Sequence, residues 1–327
     1  MKKILIVDKV HPYLVAQFTS RGYLCETILQ ISYNEFINLN DEYEGLVIRS
    51  KFNVDEKAIS SKKNLKFIIR IGSGTEHINL PLASANGIQV ISTPEGNAPA
   101  VAEHCLGMLL AALKKMATAN TEVRAGEWLR EKNKGTELSS QTVGIIGFGH
   151  TGKAFARLLR AFGCNILVYD KFVTGFSETY IEEVTLDELL QRSTVISLHI
   201  NYLPENHYFI NQMLLQKTTQ TPIFINTSRG LAVNTADLIF ALDEDLISFA
   251  CLDVLEYENV NLKIPPKEEW DDTLQRLASN KKVLLTPHTA GQTVDAELRH
   301  AQVAVEKIFS NVIMLNSSNH QITTSSF

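Results

Sequence analysis

The stretch VGIIGFGHTGKAFARLL (residues 143–159) decides how the whole chain is read. An apolar run leads into Gly147-Phe148-Gly149-His150-Thr151-Gly152, and KAFARLLRAF follows with helical spacing. Strand, glycine-rich turn and helix in this order form a dinucleotide fingerprint. Gly147 permits a tight turn, Gly149 lets backbone approach a pyrophosphate, and Gly152 lets the helix pack on its strand. The helix start then presents unsatisfied N–H groups and a positive dipole end to the phosphates. A GxGxxG alone is weak evidence, but here an acidic residue completes it. Asp170 ends the next apolar run, NILVYD, 23 positions after Gly147. A carboxylate there accepts hydrogen bonds from the adenosine ribose. It would also repel a 2′-phosphate, so NAD is expected rather than NADP, although Lys171 sits beside it.

The fingerprint begins in mid-chain because an α/β unit precedes it. KKILIVD (2–8), GLVIRS (45–50), KFIIRIG (66–72) and IQVIST (88–93) read as buried parallel strands. Helical stretches lie near residues 12–21 and 55–61. None of these strands is followed by a glycine fingerprint. APAVAEHCLGMLLAALKKM (98–116) reads as one long helix. After the fingerprint, strands are expected at 165–170, 194–200, 222–228, 248–254 and 282–288, with helices near 186–192, 212–216 and 235–243. Residues 293–315 form a final helix that returns to the first unit, and the polar tail from Asn316 is expected to be loose. The expected fold is α/β, with two doubly wound parallel-sheet domains. A flavodoxin-like substrate domain (1–97 and 290–327) is split by an inserted Rossmann NAD-binding domain (98–289).

Composition narrows the function classes. The chain has 327 residues and a net charge of −5, with no long basic stripe, so neither nucleic acid nor a membrane surface is an expected partner. The apolar run after Lys2-Lys3 stops at Asp8, too soon for a signal peptide, and no run of about 18 apolar residues exists. Cys25, Cys105, Cys164 and Cys251 are widely spaced, which suits reduced thiols in the cytoplasm. No grouping of His, Cys and carboxylates has metal-ligand spacing.

Three segments end strands with reactive side chains: INTSRG with Arg229, CLDVLEYE with Asp253, Glu256 and Glu258, and LLTPHTAGQT with His288. In an open α/β sheet ligands bind beyond the carboxyl ends of the strands, so the three should converge. Arg grips a carboxylate bidentately, His passes a proton near neutral pH, and a nearby Glu fixes its tautomer. Taken singly, each has a blander reading: a structural His, a loop ion pair, a solvated Glu.

Together with the fingerprint, these segments resemble the D-isomer-specific 2-hydroxyacid dehydrogenases. The likeness extends from about residue 4 to 313 and includes VAEHCLGMLLAALKK as the long interdomain helix and IRIGSGTEHINL as the substrate loop. The resemblance implies hydride transfer between nicotinamide and C2 of a D-2-hydroxy acid, inside a cleft that closes, in a homodimer. It implies Arg229 on the substrate carboxylate and carbonyl, His288 as proton donor and acceptor, and Glu258 as its partner. It implies cofactor contacts from Gly147, Gly149, His150, Thr151, Gly152, Asp170, His199, Thr227 and Asp253, with Asp253 near the nicotinamide. Ser73 and Gly74 would hold the substrate carboxylate through backbone N–H groups.

Within the family the likeness is strongest to short-form phosphoglycerate dehydrogenases, which would place Arg49, Arg70 and Arg130 on a substrate phosphate. This makes 3-phosphoglycerate, the start of serine synthesis, the expected substrate. The alternatives are a glyoxylate, hydroxypyruvate or other 2-oxo acid reductase, and an NAD(H)-sensing protein that binds partners. No regulatory domain follows Ile313, so feedback through one is not expected. LHINYL replaces the family's usual Pro-rich stretch, and the link after Glu258 is longer than usual.

Overall fold

The computed structural model describes residues 2–259 and 262–320. Contacts divide the chain into two units, Met1–Asn97 with Gln292–Phe327, and Ala98–Gly291. In the first unit the elements are β1 (Lys2–Ile6), α1 (Pro12–Thr19), β2 (Tyr23–Thr27), α2 (Tyr33–Asn38), β3 (Tyr43–Ile48), α3 (Glu56–Ser60), β4 (Phe67–Arg70), α4 (Leu80–Ala85) and β5 (Gln89–Ser92). All pairings are parallel, in the order β2-β1-β3-β4-β5, the flavodoxin-like arrangement. Both faces of this sheet are covered. Leu5, Leu46, Ile48 and Ile68 belong to one core, and Ile4, Ile6, Val47 and Ile69 to the other. Side chains alternate faces along a strand, so two buried faces need an unbroken apolar run, which is why these strands are visible in the sequence.

Sequence reading finds four strands here, and the structure has five. The fifth, β2, is an edge strand whose residues are partly buried or exposed, so YLCET lacks the continuous apolar run. The unanticipated α2 carries a reciprocal cap: Ser32 takes Glu35 N–H, and the Glu35 side chain takes Ser32 N–H.

α5 (Pro94–Leu113) starts four residues before the expected 98, because Pro94 suits a first helical turn. The second unit continues with α6 (Met116–Arg124), β6 (Thr142–Ile146), α7 (His150–Leu159), β7 (Asn165–Tyr169), β8 (Glu182–Glu183), α8 (Leu186–Arg192), β9 (Val195–Leu198), α9 (Gln212–Leu215), β10 (Ile223–Asn226), α10 (Thr235–Asp243), β11 (Phe249–Leu252), α11 (Asp272–Ser279) and β12 (Val283–Leu285). Its seven parallel strands run β12-β11-β10-β9-β6-β7-β8, so the order reverses between β6 and β9. That reversal is the switch point where doubly wound sheets bind ligands. Val143, Ile145, Val195 and Ile225 face one core, and Ile146, Ile196, Leu198 and Phe224 face the other.

Two expectations are corrected. The link after Glu258 is not all loop, since Asp271 caps α11 and Leu274 and Leu277 anchor it. The tail from Asn316 begins as helix, because α12 (Val294–His320) propagates through it once nucleated; residues 321–327 lie outside the described residues. Within the first unit Ala301, Ala304, Val305 and Ile308 of α12 complete the core around Ile4, Phe18 and Phe67.

Candidate active site

The glycine-rich turn is shaped by close approaches. Gly147 has φ +97°, a backbone region that side chains rarely adopt. Its N–H donates to the Tyr169 carbonyl at 2.8 Å. A Cβ on Gly152 would run into the Gly147 carbonyl, so only glycine lets α7 sit down on the turn. Gly149 caps α7 without a side-chain bond and faces open space. The first-turn residues His150, Thr151 and Gly152 therefore put the helix start where an anion can approach. Asp170 braces the turn from the end of β7. Its carboxylate accepts from Phe148 N at 2.6 Å, Phe172 N at 2.8 Å and Val173 N at 3.0 Å. A carboxylate has about four acceptor positions, so one remains for a ribose hydroxyl. A cradle with this opening and this carboxylate fits NAD.

Arg229, Glu258 and His288 all lie in this unit, beyond the carboxyl ends of β10, β11 and β12. Asn226, fully buried, shapes the arginine turn: its Oδ1 accepts from Ser228 N–H and hydroxyl, and its Nδ2 donates to the Arg229 carbonyl. A Cβ on Gly230 would collide with the Leu255–Glu256 backbone, so glycine brings this turn against the segment that carries Glu258. Glu258 Oε1 accepts from Leu255 N at 2.7 Å. Its Oε2 lies 2.5 Å from His288 Nδ1. An ionised carboxylate only accepts, so the proton of that bond resides on Nδ1 and Nε2 is left to exchange one. His288 has φ +52°, left-handed and uncommon outside glycine.

Asp253, 2 % exposed, collects the loop that follows β12. Oδ1 accepts from the Thr286 hydroxyl at 2.6 Å and Thr289 N at 2.9 Å, and Oδ2 from Ala290 N at 2.9 Å. His104 Nε2, from α5, lies 3.0 Å from Thr286 Oγ1. The His199 ring turns into the core beside Phe155, with Nε2 2.9 Å from Ser197 Oγ. Burial pushes its pKa down to about 3, so it is neutral. Its main contribution to the cofactor cradle is backbone: a Cβ on Gly147 would meet the His199 carbonyl. Thr227 is also buried, its hydroxyl 3.0 Å from the Cys105 thiol.

In the first unit, Arg49 and Arg70 end the neighbouring strands β3 and β4. Arg49 N donates to Asp8 Oδ2 at 2.6 Å, and Arg70 Nη1 to the Ile71 carbonyl at 2.6 Å. The loop with Ser73 and Gly74 is pinned by Gly72, which exchanges bonds with Thr93. His300 of α12 bonds Thr93 through Nδ1 at 2.8 Å. Burial holds its pKa down at about 4 against the Thr93 carbonyl, helped by the charges of Arg49, Arg70 and Arg299. Arg130 belongs to the other unit, in an exposed turn after α6.

Sequence reasoning missed His104, Asn226, Thr286, Arg299 and His300. His104 meets Thr286 across 182 positions, His300 meets Thr93 across 207 and Arg299 meets Gly96 across 203, which no local pattern reveals, while Asn226 acts within its own turn. Among the described residues no group of three His, Cys, Asp or Glu could hold a metal, and no helix is long and apolar enough to cross a membrane.

Comparison with known proteins agrees with this geometry. Residues 106–290 match the family model of the D-isomer specific 2-hydroxyacid dehydrogenase NAD-binding domain. The chain is 33 % identical over 308 residues to the D-3-phosphoglycerate dehydrogenase of Archaeoglobus fulgidus, covering 94 % of this chain and 56 % of that protein. It is 34 % identical to the hydroxypyruvate reductase of Thermotoga maritima, covering 85 % of this chain and 88 % of that one. A D-lactate dehydrogenase from Aquifex aeolicus, solved with NAD and lactic acid, superposes with a TM-score of 0.79 at 27 % identity, covering 95 % of each chain. The chain belongs to the D-isomer-specific 2-hydroxyacid dehydrogenase family, and the residues matched by its NAD-binding-domain model lie within the second unit. It spans about half the length of the phosphoglycerate dehydrogenases it matches.

Proposed function

We propose that the chain is an NAD-dependent dehydrogenase that interconverts a D-2-hydroxy acid and its 2-oxo acid. The observation that carries this reading is His288 Nδ1 held 2.5 Å from Glu258, with the Gly230 turn bringing Arg229 against the same segment. NAD supplies the hydride acceptor. In the oxidation direction His288 Nε2 takes the proton from the C2 hydroxyl, and in reduction it returns one. Glu258 keeps the ring oriented through its bond to Nδ1. Arg229 grips the substrate carboxylate and stabilises negative charge on the C2 oxygen.

For the substrate we propose 3-phosphoglycerate, which makes the reaction the entry to serine synthesis. Support comes from Arg49 and Arg70 at adjacent strand ends and from relatives named for that reaction. Ser73 and Gly74 amides take the carboxylate. A second reading, hydroxypyruvate reduction, is favoured by the Thermotoga relative, which the chain matches over 88 % of its length. NADH oxidation with 3-phosphohydroxypyruvate, hydroxypyruvate and glyoxylate side by side separates them. Preference for the phosphorylated acid supports the first, and equal or faster rates without phosphate support the second. Silence on all three, with NADH-dependent capture of a partner, would leave the sensing alternative.

We also propose a cytoplasmic homodimer. Four free cysteines suit a reducing compartment. Met116 and Val123 of α6 and Trp128, 76 % exposed, give the second unit an apolar surface for a second copy. Light scattering that reports a monomer would remove the dimer.

A further inference from the structure

The His288 turn is held by a network that reaches back to α5. His288 N donates to the Asp253 carbonyl at 2.8 Å, while the Asp253 carboxylate takes Thr289 N, Ala290 N and the Thr286 hydroxyl. Four bonds thus tie residues 286–290 to one buried residue, and they enclose a left-handed His288. Strained backbone persists only where its surroundings over-determine it.

The proton count in this network fixes a direction. Thr286 has a single hydroxyl hydrogen, and Asp253 Oδ1 at 2.6 Å takes it in preference to Met108 Sδ at 4.0 Å. Thr286 Oγ1 therefore accepts from His104, so Nε2 of His104 carries a hydrogen. The same Nε2 is 3.5 Å from Asp253 Oδ1. The His104 side chain is 24 % exposed, whereas the Asp253 side chain is wholly buried.

We propose that His104 is a positioning residue: by donating to Thr286 and facing Asp253, it fixes the turn that aims His288. It acts through Thr286 and Asp253. The inference rests on the proposed proton transfer by His288, and it gives Asp253 a task beyond the cofactor.

The test compares His104→Leu, His104→Gln and Thr286→Val with the wild type in two measurements. One is kcat and KM for NADH with the best 2-oxo acid. The other is amide hydrogen exchange of Thr289 and Ala290 in protein without substrate. Misaiming a catalytic group costs up to about 100-fold, so His104→Leu and Thr286→Val should lose roughly 10- to 100-fold in kcat with KM for NADH within about twofold. Both amides should exchange ~10-fold faster in these two variants, the rest of the unit being unchanged. His104→Gln keeps an N–H donor and should restore both readouts to within about threefold of wild type. Unchanged exchange in His104→Leu overturns the inference. So does a raised KM for NADH at constant kcat, which marks a cofactor contact, or a Gln variant as impaired as the Leu variant. A wild type that turns over no 2-oxo acid defeats the functional reading instead, and the exchange rates then decide the inference alone.

Discussion

His199 and His288 both follow strands of the same sheet, yet their surroundings give them opposite chemistry. His199 follows β9 and lies in the core, 7 % exposed, against Phe155 and Ser197 with no carboxylate bonded to it. Burial makes its charged form too costly, and it stays a neutral packing element. His288 follows β12, keeps 24 % of its side chain exposed and donates its Nδ1 proton to Glu258. The difference lies in whether a carboxylate and solvent both reach the ring. The strand-end position is common to the two.

The largest expected effect follows directly. His288→Gln should lower kcat by about 10³-fold, within the range for loss of a general acid–base, and leave NADH affinity within about twofold. Steady-state kinetics and NADH fluorescence titration read the two quantities, and wild-type turnover in this variant would falsify the proton-transfer assignment. Next, Gly152→Ala places a methyl group on the Gly147 carbonyl. It should weaken NADH binding by about tenfold or more and cost roughly 1–3 kcal/mol of stability through overpacking; titration and urea unfolding check both. Arg70→Ala should raise KM for 3-phosphohydroxypyruvate by about tenfold while leaving hydroxypyruvate nearly untouched, since a charged hydrogen bond contributes about 1.5–3 kcal/mol. Equal effects on both acids would move the phosphate site away from β4.

The His199 side of the comparison makes the smallest demand on activity. His199→Phe should keep kcat within about threefold and lose roughly 1 kcal/mol with the Ser197 bond. A loss of turnover rivalling that of His288→Gln would erase the contrast. Acid should expose the buried histidines in another way. His199 near 3 and His300 near 4 are neutral when folded, but protonate near 6.5 when unfolded. Below 6.5 the unfolded chain binds more protons, so stability falls as pH drops and levels off beneath the folded values. From pH 6.5 to 5.0 each histidine should remove about 1.6 kcal/mol. Urea melts at several pH values measure the slope, and His300→Gln should flatten it.

Much of the fold was legible because parallel strands buried on both faces are written as unbroken apolar runs. The elements that escaped lack such a run: edge strand β2, two-residue β8, α6, which buries no residue, and the short helices α2, α4 and α11. In the site, Gly147, Gly152, Asp170, Arg229, Glu258 and His288 stand in compact motifs at strand ends. His104 and Thr286 meet across 182 positions, and nothing local in either segment announces the bond. His199 shows the converse: its place after a strand is plain in the sequence, while its depth is set by Phe155, on another element.

The return of α12 to the first unit has a consequence for the order in which the protein is made. The core holding Ile4, Phe18 and Phe67 is completed by Ala301, Ala304, Val305 and Ile308. Phe18 packs on Phe309, 5.2 Å between ring centres. During synthesis one face of the first sheet therefore waits, only partly covered by α1, until residues 301–309 have left the ribosome. The contiguous segment from Ala98 to Gly291 has no such debt to the C-terminus and can close its own sheet first. The unit that begins earlier in the chain is thus finished after the one that follows it, and its slow, long-range closure is the stage at which a chaperone has most to protect.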